Sequence, residues 1–161
     1  MVKLKKETYQ ILLFLISLSV LVFAYAIQYL LGYQPCNLCI IERIPYFLAL
    51  IILILNYKFK KDQIFYSALL FLIFIFLLLI SIYHFGIEQG LIPESSVCGS
   101  NNTGLLITKD DILKSLQEIT VNCKDVAFNI FGLSLTTYNI ILSLIMSLIS
   151  IKIFFINNGI K

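Results

Sequence analysis

Long apolar runs separated by short polar segments are the main pattern along this chain. Four runs carry few charges and are long enough to cross a bilayer: 10–31, 40–57, 64–83 and 133–156. At a rise of about 1.5 Å per residue, about 20 helical residues cover the ~30 Å hydrocarbon core. The pattern predicts an all-α membrane protein, a four-transmembrane-helix bundle that forms a single integral membrane domain over residues 1–161.

The ends of two runs need closer inspection. The second run has Glu42, Arg43 and Pro45 near its start, where we expect the proline because its missing N–H has no helical partner to lose. The first run follows a basic segment, as a signal peptide would. Its apolar part is too long for that, and no small-x-small cleavage pattern follows, so we interpret it as a retained span.

The composition supports a membrane location. Of the 161 residues, 60% are hydrophobic and 13% are charged, which is more apolar surface than a soluble domain of this size can bury. The formal net charge of +3 is small, and no nucleic-acid partner is predicted. Membrane lipid is the partner that the composition itself indicates.

Lysines near the ends of the runs predict the orientation of the bundle. Positively charged loops lie on the cytoplasmic side, so both termini and the short link after the second run are predicted inside. Loops around 32–39 and 85–132 are then outside, on the side of the membrane away from both termini. The lysines that carry this prediction are Lys3, Lys5, Lys6, Lys58, Lys60, Lys61, Lys152 and Lys161.

The long outer loop contains one signal for local structure. Thr108 can cap a helix whose first turn carries Asp110 and Asp111, and apolar residues then recur on one face up to Ile119. The pattern predicts a short amphipathic helix, either on the outer leaflet or packed against the rest of the loop.

Four cysteines, Cys36, Cys39, Cys98 and Cys123, all fall in the two outer loops or at their edges. Cysteines on the oxidising side of a bacterial membrane are expected to form disulfides. Four cysteines allow three connectivities. Cys36 and Cys39 are close enough to pair locally, which would leave Cys98 with Cys123.

The Cys-x-x-Cys pair is more informative than the spaced pair. A disulfide between Cys36 and Cys39 closes too short a loop to stabilise much, whereas this spacing is the usual form of a redox-active dithiol. Cys39 is predicted at the N-terminal end of the second helix, where the dipole stabilises a thiolate. Two inert disulfides are the main alternative. Zinc held by all four cysteines is another, although a zinc ribbon would have two close pairs.

Arg43 and His84 are predicted at the same membrane level as the dithiol. Arg43 follows Cys39 by four residues and shares its helix face. It either extends to the headgroups with Glu42 as counter-ion, or stabilises the Cys39 thiolate and a partly reduced quinone oxygen. His84, the only histidine, is predicted to end the third span, as an interfacial residue or as part of a quinone headgroup site.

These segments resemble one known family over nearly the whole chain. Residues 36–43 read Cys-Asn-Leu-Cys-Ile-Ile-Glu-Arg and resemble the Cys-x-x-Cys-x-x-x-Arg motif of the disulfide-bond formation protein B (DsbB) family. Residues 83–88 resemble that family's third-span end, and 131–134 the start of its fourth span. Cys98 and Cys123 match its second cysteine pair in spacing. Residues 136–138 read Thr-Thr-Tyr where many members have a tryptophan nearby, which affects the interfacial anchor.

The resemblance implies a multi-pass thiol–quinone oxidoreductase of the bacterial inner membrane, with its active loops on the periplasmic side. Such an enzyme reoxidises a DsbA-like, thioredoxin-like periplasmic thiol oxidase and passes the electrons to a quinone, ubiquinone or menaquinone, in support of disulfide bond formation. It implies that the partner's thiolate attacks Cys98, which is paired with Cys123.

The same resemblance implies roles for the residues near the first motif. Cys36 and Cys39 would take the electrons next, with Cys39 facing the quinone. Arg43 would hold the quinone and His84 would neighbour it. Glu42 and Glu88 are weaker correspondences, and the resemblance assigns them no definite role.

Three other functions fit part of the sequence. A non-catalytic membrane protein would use both disulfides as structural links. A small transporter would usually need charged residues in mid-span, which these runs lack. A vitamin-K-epoxide-reductase-like quinone reductase also joins four cysteines to a quinone, but here the Cys-x-x-Cys motif precedes the spaced pair.

Overall fold

A computed structural model describes residues 2–59, 62–94, 98, 123–124, 129–130 and 132–159, without the side chains of 2–6, 129 and 130. The predicted amphipathic helix after Thr108 lies outside the described residues, so it stays a prediction.

Four helices make up most of the described chain. They are α1 (Val2–Leu30), α2 (Asn37–Lys58), α3 (Gln63–Glu88) and α4 (Leu135–Asn157). Each is long and apolar enough to cross a membrane. The prediction of an all-α membrane protein with four spanning helices is therefore confirmed.

A two-residue antiparallel ladder precedes α4. Strand β1 (Asn129–Ile130) pairs with β2 (Leu133–Ser134), and Gly132 adopts a φ of +80° at the turn between them. Such a left-handed φ suits glycine, which has no Cβ to clash with the backbone. Ser134 then caps α4 by accepting a hydrogen bond from the Thr137 N–H. The helix therefore begins at Leu135, two residues after the predicted start of the span.

The bounds of α2 and α3 also differ from the predicted spans. Helix α2 begins at Asn37 because Cys36 caps it, so Pro45 lies more than two turns inside the helix and the prediction that it sits near the start was wrong. A proline inside a transmembrane helix is tolerated where neighbouring helices cover the freed carbonyl. Helix α3 continues to Glu88, five residues past the predicted end, and so contains His84.

The helices pack around one apolar core, and α3 and α4 form the most extensive pair. Because successive helices run in opposite directions, two different ends result. We call the end with Cys36, Cys39 and His84 the cysteine end. The other, which we call the opposite end, brings Asn157 of α4 to α3, where its Nδ2 donates to the Gln63 carbonyl at 3.2 Å. The fully buried core side chains include Leu13, Ala49, Leu70, Phe74, Leu77, Met146 and Ile153.

Candidate functional site

The Cys36 and Cys39 thiols meet at the start of α2. Cys36 is the N-cap, and its Sγ accepts a hydrogen bond from the Cys39 N–H at 3.3 Å. The two Sγ atoms lie 2.7 Å apart, and both cysteines are free thiols. The turn that starts the helix therefore holds the dithiol within reach of a disulfide with little movement, as its spacing predicted.

Cys98 and Cys123 form a disulfide, which confirms the pairing expected from the sequence. Both residues are 1% exposed and pack in one buried cluster with Cys36, Leu38 and Ile87. A zinc site built from all four cysteines is contradicted, because a disulfide leaves two of the four sulfurs without the thiolate form that zinc needs.

His84 faces the dithiol and is 1% exposed. Its Nε2 lies 3.5 Å from Cys36 Sγ, and its Nδ1 lies 3.1 Å from Glu42 Oε1. Glu42 is itself buried, and its partner is His84. The alternative in which Glu42 serves as the counter-ion of Arg43 is therefore not what the structure shows.

Asn139 of α4 joins three helices at this level. Its Nδ2 donates to Glu42 Oε2 of α2 at 3.0 Å and to Ser81 Oγ of α3 at 2.8 Å. Its Oδ1 accepts a hydrogen bond from the hydroxyl of Tyr46. Neither Asn139 nor Tyr46 was predicted from the sequence. The sequence signal that could have found Asn139 is its polar amide in a largely apolar span, since a polar group in the membrane needs a hydrogen-bond partner.

Arg43 points toward α1. Its Nη1 donates to Gln28 Oε1 at 2.6 Å, and its guanidinium carbon lies 4.8 Å from the centre of the Tyr25 ring. The side chain is half-buried rather than fully extended into solvent. Gln28 and Tyr25 thus hold a positive charge one helical turn from Cys39.

Glu88 fastens the start of α4 to the end of α3. Its two carboxylate oxygens accept hydrogen bonds from Ser134 Oγ at 2.7 Å and from Thr136 Oγ1 at 2.6 Å. A carboxylate beside a helix N-terminus is also favoured by the helix dipole. The geometry gives Glu88 a structural role that the sequence did not assign.

Helical spacing explains why these side chains converge. On α2, Glu42 follows Cys39 by three residues and Tyr46 follows by seven, so all three share one face. On α3, His84 follows Ser81 by three residues. The two faces meet because α2 and α3 are neighbours.

A cavity of about 550 Å³ opens beside the dithiol. This volume is in the range of small-molecule and cofactor sites. Cys39 and Arg43 line this cavity, and apolar side chains of α1 and α4 form part of the rest of its wall. Its wall contains Val20, Phe23, Ala24 and Ile27 of α1, Leu135 and Leu142 of α4, and also Cys36, Glu42, His84, Glu88 and Cys123.

The electrostatics of the site favour a Cys36 thiolate. The hydrogen bond with the Cys39 thiol, followed by the hydrogen bond and charge of His84, lowers the pKa of Cys36 from its ordinary 9.0 to about 5, although burial acts in the opposite direction. A thiolate is the nucleophilic form in thiol–disulfide exchange. Near neutral pH, Cys36 is thus in the thiolate form that attacks disulfides.

Comparison with known proteins identifies the family. Residues 6–153 match the family described as disulfide bond formation protein DsbB. The chain is 35% identical over 148 residues to uncharacterized protein RP370 of Rickettsia prowazekii (strain Madrid E), covering 88% of this chain and 85% of that one. No solved structure matches. Together with four spanning helices and two cysteine pairs at one end, these findings show that the chain belongs to the DsbB family of membrane disulfide-bond formation oxidoreductases.

Proposed function

We propose that this protein reoxidises a DsbA-like periplasmic thiol oxidase and passes the two electrons through its cysteine pairs to a membrane quinone, ubiquinone or menaquinone. Cys98 and Cys123 receive electrons from the partner, and Cys36 and Cys39 deliver them to the quinone. The multi-pass bundle sits in the bacterial inner membrane with its cysteine end on the periplasmic side.

The cavity beside Cys39 is the observation that carries the quinone assignment. A quinone has a polar ring with two oxygens and a long apolar tail. The cavity is lined by Cys39 and Arg43, and also by α1 residues between Ser19 and Ile27, a stretch of about 12 Å at 1.5 Å per residue. A fixed guanidinium suits an oxygen on which negative charge develops during reduction.

Transfer between the two cysteine pairs is supported by their packing. Cys36, Cys98 and Cys123 belong to one buried cluster, and Cys123 lines the same cavity as Cys39. Thiol–disulfide exchange requires direct sulfur-to-sulfur contact through a mixed disulfide. A cluster that already gathers the sulfurs reduces the rearrangement that this contact needs.

The partner's access to Cys98 has a structural requirement. Because Cys98 is 1% exposed, an attacking thiolate can approach its sulfur only after the residues packed around it rearrange. We expect docking of the thioredoxin-like partner to cause that rearrangement. The lysines flanking the opposite end favour the cytoplasm for that end, which leaves the disulfide on the side where such partners act.

The overall reaction needs two electrons and two protons. Each sulfur pair is oxidised as the next acceptor is reduced, and the quinone, when bound, supplies the final two-electron acceptor. The protein's own groups hold the thiolates, exclude water through the apolar cavity wall and place Arg43 beside the acceptor.

The test is an anaerobic assay of the purified full-length protein. A reduced thioredoxin-like oxidase is mixed with the protein and with ubiquinone or menaquinone, and quinone absorbance is followed. We expect catalytic loss of quinone absorbance in step with oxidation of the partner's dithiol. The proposal would be overturned if neither quinone were reduced and the partner's dithiol were not oxidised.

Redox titration separates the proposal from a protein whose disulfides are purely structural. Structural disulfides typically have potentials below about −300 mV, whereas catalytic ones are more oxidising. We expect both pairs here to be in the oxidising class. A vitamin-K-epoxide-reductase-like activity would instead appear as reduction of a quinone epoxide by the dithiol.

A further inference from the structure

His84 has both ring nitrogens engaged by its own chain. Nε2 contacts Cys36 Sγ at 3.5 Å, and Nδ1 contacts Glu42 Oε1 at 3.1 Å. All three residues are buried: His84 is 1% exposed, Cys36 is 6% exposed and Glu42 is 7% exposed. With both nitrogens occupied, the ring is arranged to serve the thiol rather than to hold a quinone oxygen.

We propose that Cys36, His84 and Glu42 act as a nucleophile–base–orienter triad, in which His84 accepts the Cys36 proton and Glu42 is a positioning residue that fixes the ring. The inference deepens the proposed function and rests on it. A base within hydrogen-bonding reach of a thiol, oriented in turn by a third group, is the general arrangement of an activated nucleophile. Here a thiol at the N-cap of α2, an imidazole on α3 and a carboxylate on α2 supply the three parts.

The carboxylate is itself held in place. While Oε1 of Glu42 contacts His84, its Oε2 accepts from Asn139 Nδ2 at 3.0 Å. Asn139 also donates to Ser81 at 2.8 Å, so three helices restrain the carboxylate. A restrained acceptor at Nδ1 directs Nε2 toward Cys36, because the two nitrogens lie on opposite sides of the ring.

The triad gives the proton balance of the oxidation step. In the reduced state Cys36 is a thiolate, His84 carries its proton and Cys39 is a thiol. When the Cys36–Cys39 bond forms, two electrons pass to the quinone. Two protons are released at the same time, one from Cys39 and one from His84. The products are a disulfide, a neutral imidazole and a quinol, so charge and atoms balance. His84 lines the cavity, which gives its proton a route to the quinol oxygen.

Other charged or titratable groups around the ring are accounted for. Arg43 donates to Gln28 on α1, and Glu88 accepts from Ser134 and Thr136, so Glu42 is the carboxylate that contacts the ring. The lowered pKa of Cys36, due first to the Cys39 thiol and then to His84, agrees with the triad. The titratable side chains of the surrounding cavity wall are Tyr33 before α2, Cys36 at its N-cap, Cys39, Glu42, Arg43 and Tyr46 of α2, Glu88 of α3 and Tyr138 of α4.

The experiment is pulsed alkylation of the full-length protein. The protein is reduced anaerobically, freed of quinone, kept in chelator and treated with iodoacetamide between about pH 4 and 10, and the initial rate at Cys36 is read by peptide mass spectrometry. For the natural sequence we expect a midpoint at about pH 5. We expect His84→Gln to lower the rate at pH 6 about tenfold or more, and Glu42→Leu to lower it less, with Glu42→Gln partly restoring it.

Two controls make the result specific. Glu88→Gln removes another cavity-lining carboxylate and should leave the midpoint unchanged. Measurement near pH 10 tests access, because there the thiol ionises without help, and the His84 and Glu42 variants should then react as fast as the natural protein. An equal loss at both pH values means blocked access and overturns the triad. An unchanged midpoint in His84→Gln also overturns it, since the α2 N-terminus and Cys39 alone would then account for the thiolate.

The alkylation assay contains neither quinone nor partner oxidase. The triad can therefore fail while quinone reduction persists, and the proposed function can fail while the midpoint behaves as predicted.

Discussion

The two ends of the bundle differ in how their buried polar side chains are hydrogen-bonded. At the cysteine end, Glu42, His84 and Asn139 bond to one another across three helices and surround a cavity. Deeper in the bundle and toward the opposite end, Ser17 Oγ and both side-chain amide atoms of Asn56 are buried without a hydrogen-bond partner among the described residues. Burial alone therefore does not distinguish a functional polar residue from a tolerated one, whereas a connected network beside a cavity does.

A cation at each end makes the contrast sharper. Arg43 lies over Tyr25 at 4.8 Å, and Lys152 lies over Tyr9 at 5.1 Å. Both contacts join helix α1 to another helix. Arg43 also lines the cavity beside Cys39, whereas Lys152 does not. Matched variants at the two ends can therefore separate packing from chemistry.

The largest effect is expected at Cys39. Replacement by serine should reduce quinone reduction by a factor of about a thousand or more, because no second sulfur remains to complete the disulfide. Ser150→Ala, a similarly small change at a buried hydroxyl away from the site, should leave turnover unchanged. Steady-state quinone absorbance measures both. Undiminished turnover in the Cys39 variant would remove the proposed electron path.

Arg43 should have the next largest effect. Arg43→Ala should raise the apparent KM for quinone about tenfold, the loss expected for one charged hydrogen bond. Lys152→Ala removes the matching cation and should change KM less than about twofold. Rates at varied quinone concentration decide the point. Equal effects of the two variants would reduce Arg43 to a packing and anchoring residue.

Stability should separate Asn139 from Asn56. Asn139→Leu should lower the free energy of unfolding by about 2 kcal/mol, because three interhelical hydrogen bonds are lost at about 0.6 kcal/mol each and buried partners remain. Asn56→Leu should be neutral or stabilising by about 1 kcal/mol, since it removes a buried amide that has no partner. Reversible unfolding in mixed micelles measures both. Comparable losses would contradict the contrast between the two ends.

The smallest effect is expected at Gly86. A Cβ added there would lie 2.6 Å from Ile92 Cδ1, the tip of a flexible side chain that can move aside. Gly86→Ala should therefore cost about 1 kcal/mol or less in the same unfolding experiment. Adding Ile92→Val removes that methyl group and should restore stability. Failure of the double variant to recover would mean that the backbone after α3, rather than Ile92, limits this contact.

The sequence predicted the four helices well because a bilayer requires long apolar segments with internally satisfied backbones. It also predicted the Cys98–Cys123 pair and the shared location of Cys39 and Arg43. It did not predict that Glu42 binds His84, that Arg43 binds Gln28, or that Asn139 joins the network. Those contacts depend on how each helix is rotated about its axis, and spans that are apolar on every face contain little periodic signal to specify rotation.

The cap of α2 has a consequence for the redox cycle. Cys36 Sγ accepts a hydrogen bond from the Cys39 N–H, so one of the two reacting sulfurs also caps the start of the helix. A thiolate accepts hydrogen bonds more strongly than a disulfide sulfur, because the bond is charge-assisted. In the proposed cycle, each oxidation therefore loosens the first turn of α2 and each reduction tightens it. Hydrogen exchange at the backbone amide of Cys39 would then report the oxidation state of the enzyme.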